Sequence, residues 1–331
     1  MRAYFDGRAR NRAAGETATP VTSDPDIDLR LLRVFVAVAE ARGFAAAESH
    51  LKISSSTISV HMTKLEGRLG IRLCERGRGG FKLTERGRVV YQESKKILRA
   101  LDDFAGTLAS VRTRLAGRLS VGMVDALVMH PEFPISDAIR EFNTVSNEVQ
   151  FDIRVASRQE LEHDVFEGSL HAAFGPFIRN VSGLKFTPLF REPQDLYCGQ
   201  GHPLFEAPPQ VHESANLSNY RAVIRLYHDE FDRGKLGVVR EAAWVSSMDA
   251  MLALILSGDY IGYLPRFYAK SWISEGRLAR IEQPGISYDS EHGILTRPGE
   301  GTPVVLTKFL GLVRDASVRR REARRRDEED D

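Results

Sequence analysis

The sequence predicts an α/β protein that carries a small winged helix-turn-helix, then a long helix, then a larger region of strands alternating with helices. Three observations predict this architecture. A serine-rich pair of short helices lies between residues 44 and 66, a long amphipathic stretch begins at about residue 84, and strands alternate with helices from Gly117 onward. At 331 residues, with 42% hydrophobic content, the chain is long enough for two or three domains with buried cores.

The first observation is a pair of short helices joined by a tight turn. Five apolar residues recur at helical spacing and should face one core: Ala47, Leu51, Ile58, Met62 and Leu65. Ser54 stands where its hydroxyl can cap the second helix by accepting a backbone N–H of the first turn. Small hydroxyl residues then follow on the exposed side, which suits insertion into a DNA major groove. On these residues alone, an ordinary helix pair with serine-rich surface turns is the alternative.

The segment after the helix pair strengthens the DNA interpretation. Residues 69–87 are typical of two short strands around a flexible Arg/Gly loop, which is a wing. Arginine on such a loop suits phosphates or a narrow minor groove. The expected partner is therefore double-stranded DNA. The candidate DNA contacts are Ser54, Ser55, Ser56, Thr57, Ser59, His61, Thr63, Lys64, Arg76 and Arg78.

The charge is distributed unevenly along the chain. The net charge is only +1, but residues 28–116 hold 17 Lys and Arg against 9 Asp and Glu, which is +8. Residues 117–318 hold 19 against 26, which is −7. The basic segment is the one that should meet phosphate, because an acidic remainder does not compete for DNA.

The second observation concerns the long helix that Thr84 should cap. Seven apolar residues follow one another at steps of 7, 4, 3, 4, 3 and 4: Val90, Ile97, Leu101, Phe104, Leu108, Val111 and Leu115. Alternation of three and four is the seam of a coiled coil. Pairing between two chains through Ile97, Leu101, Phe104, Leu108 and Val111 is favoured, and a helix packed on its own domain is the alternative.

With these residues in view, the sequence resembles the LysR-type transcriptional regulators. The match begins at Asp28, continues through Phe44 and the serine-rich helix, and reaches Leu83-Thr84. The family usually has Ser-Gln-Pro-Ala-Leu-Ser where this chain has residues 54–59, so Ser55 and Ser56 are departures. Glu48 is another, because the family usually has alanine there. These departures affect the expected base preference and leave the expected fold intact.

The resemblance implies a domain plan and an assembly. It implies a periplasmic-binding-protein-like effector domain of two α/β subdomains with a cleft, a homodimer formed through the linker helix, and homotetramers of such dimers. A small-molecule effector is expected to modulate promoter binding. We expect a disordered extension at 1–26, a winged helix-turn-helix at 27–83, a linker and dimerisation helix at 84–116, an effector-binding domain at 117–318 and a charged tail at 319–331.

The third observation is the alternation of strands and helices in the carboxyl-terminal half. Strands are predicted from Gly117 and near residues 149–155, 170–174, 185–190, 195–198, 222–225 and 260–264. Helices are predicted near residues 159–166 and 247–256, from Arg266, and at 303–315. Together they indicate an α/β sheet with helical crossovers.

A ligand site is predicted where the strands of this sheet end, because loops and helix N-termini there offer free N–H groups. Three strand ends fit, and the family's matching positions add two from the second subdomain. The candidate effector contacts are Asp125, Ala126, Leu127, Ser157, Gly175, Pro176, Arg225 and Met248. The carboxylate of Asp125 should repel an acidic effector and favour a cationic or polyhydroxylated one, unless Arg225 neutralises it. A structural role remains the alternative for each residue.

Other classes of function are less well supported. The sequence contains no nucleotide-binding glycine fingerprint, nucleophile elbow or zinc-binding pattern, so we expect neither an enzyme nor a metal or cofactor. His130, His202 and His292 precede Pro or Gly and suggest loop surface. Cys74 and Cys198 are far apart and fit a reducing cytoplasm, as buried hydrophobes or, alternatively, redox sensors. No apolar run is long enough to span a membrane, so a cytoplasmic protein is expected.

Two rival functions remain at this point. A solute-binding or metabolic protein would use only the α/β half, which leaves the basic winged segment unexplained. An architectural DNA binder would need no effector, which leaves some 200 residues of α/β domain without a role.

Overall fold

A computed structural model describes residues 27–77, 80–111, 115–146, 148–177, 181–226, 229–237, 239–298 and 302–330. The chain divides into two compact units, one ending at Leu98 and the other beginning at Arg99. The predicted domain boundaries remain predictions. No helix within the described ranges combines the length and the apolar composition that crossing a bilayer requires.

The amino-terminal unit is a three-helix winged domain. Its elements are α1 (Leu29–Glu40), α2 (Phe44–Leu51), α3 (Ser55–Leu69) and the antiparallel strands β1 (Cys74–Gly77) and β2 (Gly80–Leu83). Ala47, Ile58, Met62 and Leu65 are at most 1% exposed, and Leu51 packs against the same core. The predicted core face, the helix pair and the wing strands are therefore confirmed.

Short polar caps fix the ends of these helices. Asp28 accepts a hydrogen bond from the Arg30 amide at 2.9 Å, and Ser54 accepts one from the Thr57 amide at 3.3 Å. Between α2 and α3, Lys52 takes the left-handed conformation with φ of 53°, which reverses the chain direction. The predicted cap by Ser54 is confirmed.

A long helix, α4 (Glu85–Val111), follows the wing. The Thr84 hydroxyl accepts a hydrogen bond from the Gly87 amide at 2.8 Å, so Thr84 caps it as predicted. The extent of the helix was predicted wrongly at its far end. Leu115 lies beyond Val111 and packs against the core of the carboxyl-terminal unit. At the near end, Val90 packs against the winged-domain core.

The carboxyl-terminal unit is built on a mixed sheet flanked by helices. Its strands are β3 (Ala116–Met123), β4 (Glu148–Val155), β5 (Ala172–Gly175), β6 (Lys185–Gly199), β7 (Arg221–Arg225), β8 (Arg240–Val245), β9 (Tyr260–Pro265), β10 (Leu278–Arg280) and β11 (Tyr288–Thr296). Their order is β4-β3-β5-β11-β6-β9-β7-β8, and β10 pairs with β6.

Two long strands divide this unit into two subdomains. The first half of β6 pairs with β11, and its second half pairs with β9, so one strand belongs to both subdomains. In the same way β11 begins beside Gln194 and ends between β5 and the start of β6. The sequence was wrong to predict two strands at 185–198, and it did not predict β11. These pairings are antiparallel, whereas β3, β4 and β5 are parallel.

Helices cover both faces of the sheet. They are α5 (Ile135–Val145), α6 (Arg158–Phe166), α7 (Pro209–Ser214), α8 (Asp229–Leu236), α9 (Met248–Leu256), α10 (Arg266–Ser274) and α11 (Val304–Asp330). The predicted helices at 159–166, 247–256 and from Arg266 are confirmed as α6, α9 and α10. Helix α11 continues well past the predicted end at residue 315. Arg320 near its end binds Asp137 of α5 at 2.6 Å.

Candidate DNA interface and ligand pocket

Four exposed residues lie on the outer face of α3, spaced four, three and one positions apart in the sequence. Ser56, Val60, Thr63 and Lys64 are exposed and share this face, which we call the reading face. Ser55, Thr57, Ser59 and His61 are half-buried beside it. Val60 was not among the predicted DNA contacts, although its side chain is 64% exposed. The helical step from Ser56 was the signal that could have found it.

The serine cluster at the start of α3 is partly engaged in capping the helix. The Ser54 hydroxyl lies 2.8 Å from the Ser56 hydroxyl and 3.0 Å from that of Thr57. The carboxylate of Glu48 accepts a hydrogen bond from the Ser55 amide. The hydrogen bonds from Ser55 lower the pKa of Glu48, which keeps the carboxylate charged. Glu48 thus adds a second cap from α2, where the sequence showed only a departure from the family pattern.

The remaining candidate DNA contacts differ in availability. Thr63 donates a hydrogen bond to the Ser59 carbonyl at 3.0 Å. His61 has a buried Nδ1 with no hydrogen-bond partner. The backbone of Arg76 lies in β1, whereas its side chain and the whole of Arg78 fall outside the described parts of the chain.

The predicted seam on α4 is largely uncovered. Ile97, Phe104 and Leu108 are 40%, 58% and 51% exposed, and Leu101 is half-buried. The side chain of Val111 is outside the described residues. Three large apolar side chains on one helical stripe expose surface that water disfavours.

The opposite side of α4 is anchored to the carboxyl-terminal unit. Asp103 lies 2.9 Å from Nε2 of His171, and the Arg99 guanidinium donates to the Gly168 carbonyl. The Nδ1 of His171 accepts a hydrogen bond from the Ser120 amide, so the proton is on Nε2 and points to Asp103. His171 immediately precedes β5 and Pro176 immediately follows it.

A pocket lies where strands from both subdomains end. Its walls contain six of the predicted effector contacts: Asp125, Ala126, Leu127, Pro176, Arg225 and Met248. Val124, Glu192, Pro265 and His292 complete the walls. Of the other two predicted contacts, Gly175 ends β5 next to Pro176, and Ser157 caps α6 in a reciprocal capping box with Glu160. The cavity holds about 20 Å³, roughly one water molecule.

Asp125 joins the two subdomains across this pocket. Its Oδ2 accepts a hydrogen bond from the Met248 amide at 2.5 Å, at the start of α9. Burial is the main cause that raises the pKa of Asp125, and the nearby charge of Asp249 adds to it. The next residue, Ala126, has a φ of 57°, a strained conformation for a residue with a Cβ. This strained turn places the carboxylate at the start of α9.

Arg225 lies on the pocket wall with its guanidinium already bound. Its Nε and Nη2 donate to the two oxygens of Asp232 at 3.0 and 2.7 Å. Its Nη1 donates to Gln194 at 2.7 Å, and Nη2 also donates to the Tyr288 hydroxyl at 2.6 Å. Arg225 and Asp232 are 1% and 0% exposed. The carboxylate that binds the Arg225 guanidinium directly is therefore that of Asp232, while Asp125 accepts its hydrogen bond from Met248.

Two titratable residues on the long strands were missed. Glu192 of β6 accepts a hydrogen bond from Gln194 at 2.5 Å, and its Oε2 lies 3.5 Å from Nε2 of His292 in β11. Burial raises the pKa of Glu192 to about 8 and lowers that of His292 to about 4. The expectation that His130, His202 and His292 lie on loop surface was wrong, because all three are at most 5% exposed. Phe190 stacks between His130 and His292.

Comparison with known proteins decides the family. Residues 29–88 match the model of the bacterial regulatory helix-turn-helix protein, lysR family, and residues 112–317 match the LysR substrate binding domain. The chain belongs to the LysR family of transcriptional regulators. LysR-type regulators bind DNA through the first domain and hold an effector in the second, so the expected fold and function are confirmed.

Relatives and solved structures agree over most of the chain. The HTH-type transcriptional activator BauR of Pseudomonas aeruginosa is 36% identical, covering 92% of this chain and 98% of BauR. An SDS degradation transcriptional activation protein from a Pseudomonas species is 27% identical, covering 88% and 97%. The crystal structure of CbnR, a LysR family regulator, is 22% identical with a TM-score of 0.62 and coverage of 88% and 99%. This last likeness confirms the fold.

Both cysteines of this LysR-type regulator are buried thiols. Burial raises the pKa of the Cys198 thiol to about 12, so it stays protonated at neutral pH. The interpretation of Cys198 as a small buried hydrophobe is therefore favoured over a redox sensor.

Proposed function

We propose that this protein is an effector-responsive transcriptional activator whose α3 reads operator DNA through the reading face. The hydroxyls of Ser56 and Thr63 and the apolar side chain of Val60 suit base edges in the major groove. Lys64, Arg76 and Arg78 suit phosphates. Ser54, Ser55, Thr57, Ser59 and His61 position the start of the helix and contribute contacts at its edge. Activation is proposed because the two relatives named above are activators.

The observation that carries the effector half of the proposal is the pocket made from both subdomains. Its residues come from the ends of β3, β5, β7 and β9 and from the start of α9. A ligand held there contacts both subdomains at once, so it stabilises one relative arrangement of the two. Gly175 and Ser157 adjoin this region and remain proposed contacts.

The anchor between α4 and His171 supports a route from the pocket to the linker helix. Strand β5 is only four residues long, with Pro176 at the pocket and His171 at α4. A shift of this strand upon ligand binding moves the His171 ring against Asp103. The proposed result is a change in the direction of α4, and with it in the spacing of the DNA-binding domains.

Assembly is proposed to occur through the uncovered seam on α4. Ile97, Leu101, Phe104, Leu108 and Val111 pair with the same residues of a second chain, and such dimers associate into tetramers. A dimer presents two copies of α3 to successive major grooves, so the half-sites lie about 10 base pairs, or a multiple of that, apart. We place this regulator in the cytoplasm, with no catalytic role and no resident cofactor or metal.

The DNA half of the proposal is tested by electrophoretic mobility of a promoter fragment at several salt concentrations. Lys64→Ala should weaken binding to all sequences alike and reduce the dependence on salt, because a phosphate contact is lost. Ser56→Ala should change base preference with little effect on salt dependence. A Lys64 variant that altered only base preference would contradict the assignment.

The dimer is tested by sedimentation of the full chain carrying Leu108→Asp. Burying one such side chain stabilises by about 1.5–3 kcal/mol, and the change acts twice per dimer. Gln92→Asp is the matched control, because Gln92 is exposed on α4 away from the seam. Loss of the dimer in both variants, or in neither, would count against the seam.

A further inference from the structure

The pocket walls carry more acidic than basic groups once the buried ion pair of Arg225 is taken into account, and this decides which ligands the pocket can hold. Its walls carry two carboxyl groups, Asp125 and Glu192, one guanidinium, Arg225, and one imidazole, His292. The imidazole is uncharged at neutral pH, because burial lowers the pKa of His292 to about 4. The net charge that the walls present to a ligand therefore depends on whether the Arg225 guanidinium can bind that ligand.

Arg225 is already neutralised by another residue. Asp232 accepts two hydrogen bonds from its guanidinium, and both residues are almost completely buried. A ligand carboxylate that captured Arg225 would leave Asp232 charged and unpaired in the interior, which strongly disfavours binding of an acidic ligand there. Arg225 and Asp232 together thus contribute no net charge to the pocket.

The second place where an anion could bind, the first turn of α9, is also occupied by a side chain of the protein. The first turn of a helix attracts a carboxylate through its free N–H groups. At α9 this position holds Asp125, 2.5 Å from the Met248 amide, while Ser247 caps the Ala250 amide at 3.3 Å. An acidic ligand would have to displace the protein's own carboxylate there.

Two carboxyl groups on the walls, Asp125 and Glu192, are attracted to Arg225 through space, while Asp232 holds its guanidinium. Asp125 faces the pocket from one subdomain, and Glu192 faces it from the long strand that joins the two. The nearest polar groups to Glu192 are Gln194 and the uncharged His292. Burial raises the pKa of both acids, that of Glu192 to about 8, so Glu192 keeps its proton at neutral pH in the free protein. A bound cation would favour the loss of that proton and stabilise the charge of Asp125. Around them lie apolar side chains such as Leu127, Pro176 and Met248.

We propose that the effector of this pocket is a small organic cation: its ammonium group fills the space of about 20 Å³ beside Asp125 and Glu192, and its short apolar body extends out of the pocket. This inference rests on the proposed function of the pocket as the effector site. Asp125 also caps α9, so a cation beside it draws the two subdomains together. An anion would instead repel Asp125 from the Met248 amide. The charge of the ligand, in addition to its shape, therefore determines whether the two subdomains are drawn together.

The test uses a series of matched size and different charge: butylamine, butan-1-ol and butyrate, added to the full chain at constant ionic strength. Isothermal titration calorimetry should show butylamine binding at least tenfold more tightly than the alcohol, with butyrate weakest. 1,4-Diaminobutane should bind at least as tightly as butylamine. Equal binding of amine and alcohol, tightest binding of butyrate, or no binding by either amine would overturn the inference.

Single substitutions test whether Asp125 and Glu192 bind the ammonium group. Asp125→Asn keeps an acceptor for the Met248 amide but removes the charge, and Glu192→Gln does the same beside Gln194. Each should weaken butylamine binding at least tenfold, because a charge-assisted hydrogen bond is lost. Asp259→Asn, at an exposed position outside the pocket, should leave the affinity for butylamine within twofold. Equal weakening in all three variants would overturn the inference.

Mobility of the promoter complex separates this inference from the proposed function. If butylamine binds as described but leaves the DNA complex unchanged, the charge preference stands and the proposed coupling fails. If butyrate binds, is strengthened by Asp125→Asn and alters the DNA complex, the effector site stands and the cationic class is wrong.

Discussion

The polar residues on the reading face of α3 differ from those of the pocket between the subdomains in their exposure and in their spacing along the chain. Ser56, Thr63 and Lys64 are exposed and lie within nine consecutive residues. In the pocket, Glu192, Arg225 and His292 are at most 4% exposed and come from three different strands. Polar groups on the reading face are exposed to water. Those of the pocket must find partners within the protein, because an unpaired buried polar group is costly.

This difference means that substitutions should separate function from stability on α3 but combine them in the pocket. On the reading face a side chain can be changed without loss of folding. On the pocket wall the same side chains hold the subdomain together and line the proposed effector site.

The largest effect is expected from Arg225→Ala. Removing one member of the buried pair leaves Asp232 charged in the interior, which should lower the free energy of unfolding by about 3–5 kcal/mol. Both tryptophans of the chain, Trp244 and Trp272, lie in the carboxyl-terminal unit, so their fluorescence during urea denaturation reports on this unit. Arg221→Ala is the control, because Arg221 is exposed at the start of the same strand. Unchanged stability with loss of effector response alone would mean that Arg225 acts as a ligand contact.

A smaller effect should appear as a dependence on pH. The folded protein holds the proton of Glu192 up to a pKa of about 8, whereas the ordinary pKa is 4.5, so the folded state binds more protons than the unfolded state between these two values. Stability should therefore fall by about 1.4 kcal/mol per pH unit as pH rises from 6.5 towards 8. Glu192→Gln should remove this slope in urea denaturation followed by tryptophan fluorescence.

The buried histidines should act in the opposite direction at lower pH. Burial lowers the pKa of His130 to about 3 and that of His292 to about 4, so the unfolded state takes up protons first as pH falls below 6.5. Stability should then decrease between pH 6.5 and 4. A stability curve that is flat from pH 6.5 to 8 in the unmodified protein would contradict the assignment for Glu192.

Ser54→Ala tests the contrast at the start of α3. Loss of this cap should cost about 0.5–2 kcal/mol, seen as faster hydrogen exchange of the first amides of α3. The value should lie near the lower end, because Glu48 still accepts a hydrogen bond from Ser55. The double variant with Glu48→Ala should lose more than the single variant. Equal losses would show that Glu48 does not share in the cap.

The smallest effect on stability is expected from Val60→Ala. This side chain is 64% exposed, so the free energy of unfolding should change by less than about 0.5 kcal/mol. Operator binding should nevertheless weaken several-fold, since an apolar contact with a thymine methyl is lost. Nonspecific DNA is the control, and its binding should stay unchanged. An equal loss of affinity for operator and nonspecific DNA would show that Val60 does not contribute to sequence recognition.

The sequence predicted some of these elements far better than others. Ser54, Ile58 and Met62 were placed correctly because helix caps and helical periodicity are local signals. Strand β6 was split in two because Pro193 and the charged residues around Glu192 interrupt the apolar pattern. Strand β11 was not predicted, and His292 was assigned to loop surface because glycine follows it. There the structure has a register shift between His292 and Gly293 within a strand.

The candidate pocket was predicted in outline only. Asp125, Arg225 and Met248 do lie on one pocket, as the strand-end argument indicated. The sequence could not show that Arg225 binds Asp232, because α8 brings that carboxylate to the strand only in the folded chain. It also could not show that Asp125 reaches the amide of Met248, 123 residues away.

By itself the sequence determined the family, the recognition helix and its cap, because the residues that specify them are neighbours and interact within one or two helical turns. The tertiary structure alone decided which charges in the pocket are neutralised and which remain. That outcome depends on distances of about 3 Å between residues from strands and helices far apart in the chain, and electrostatic interactions between buried groups change steeply over such distances.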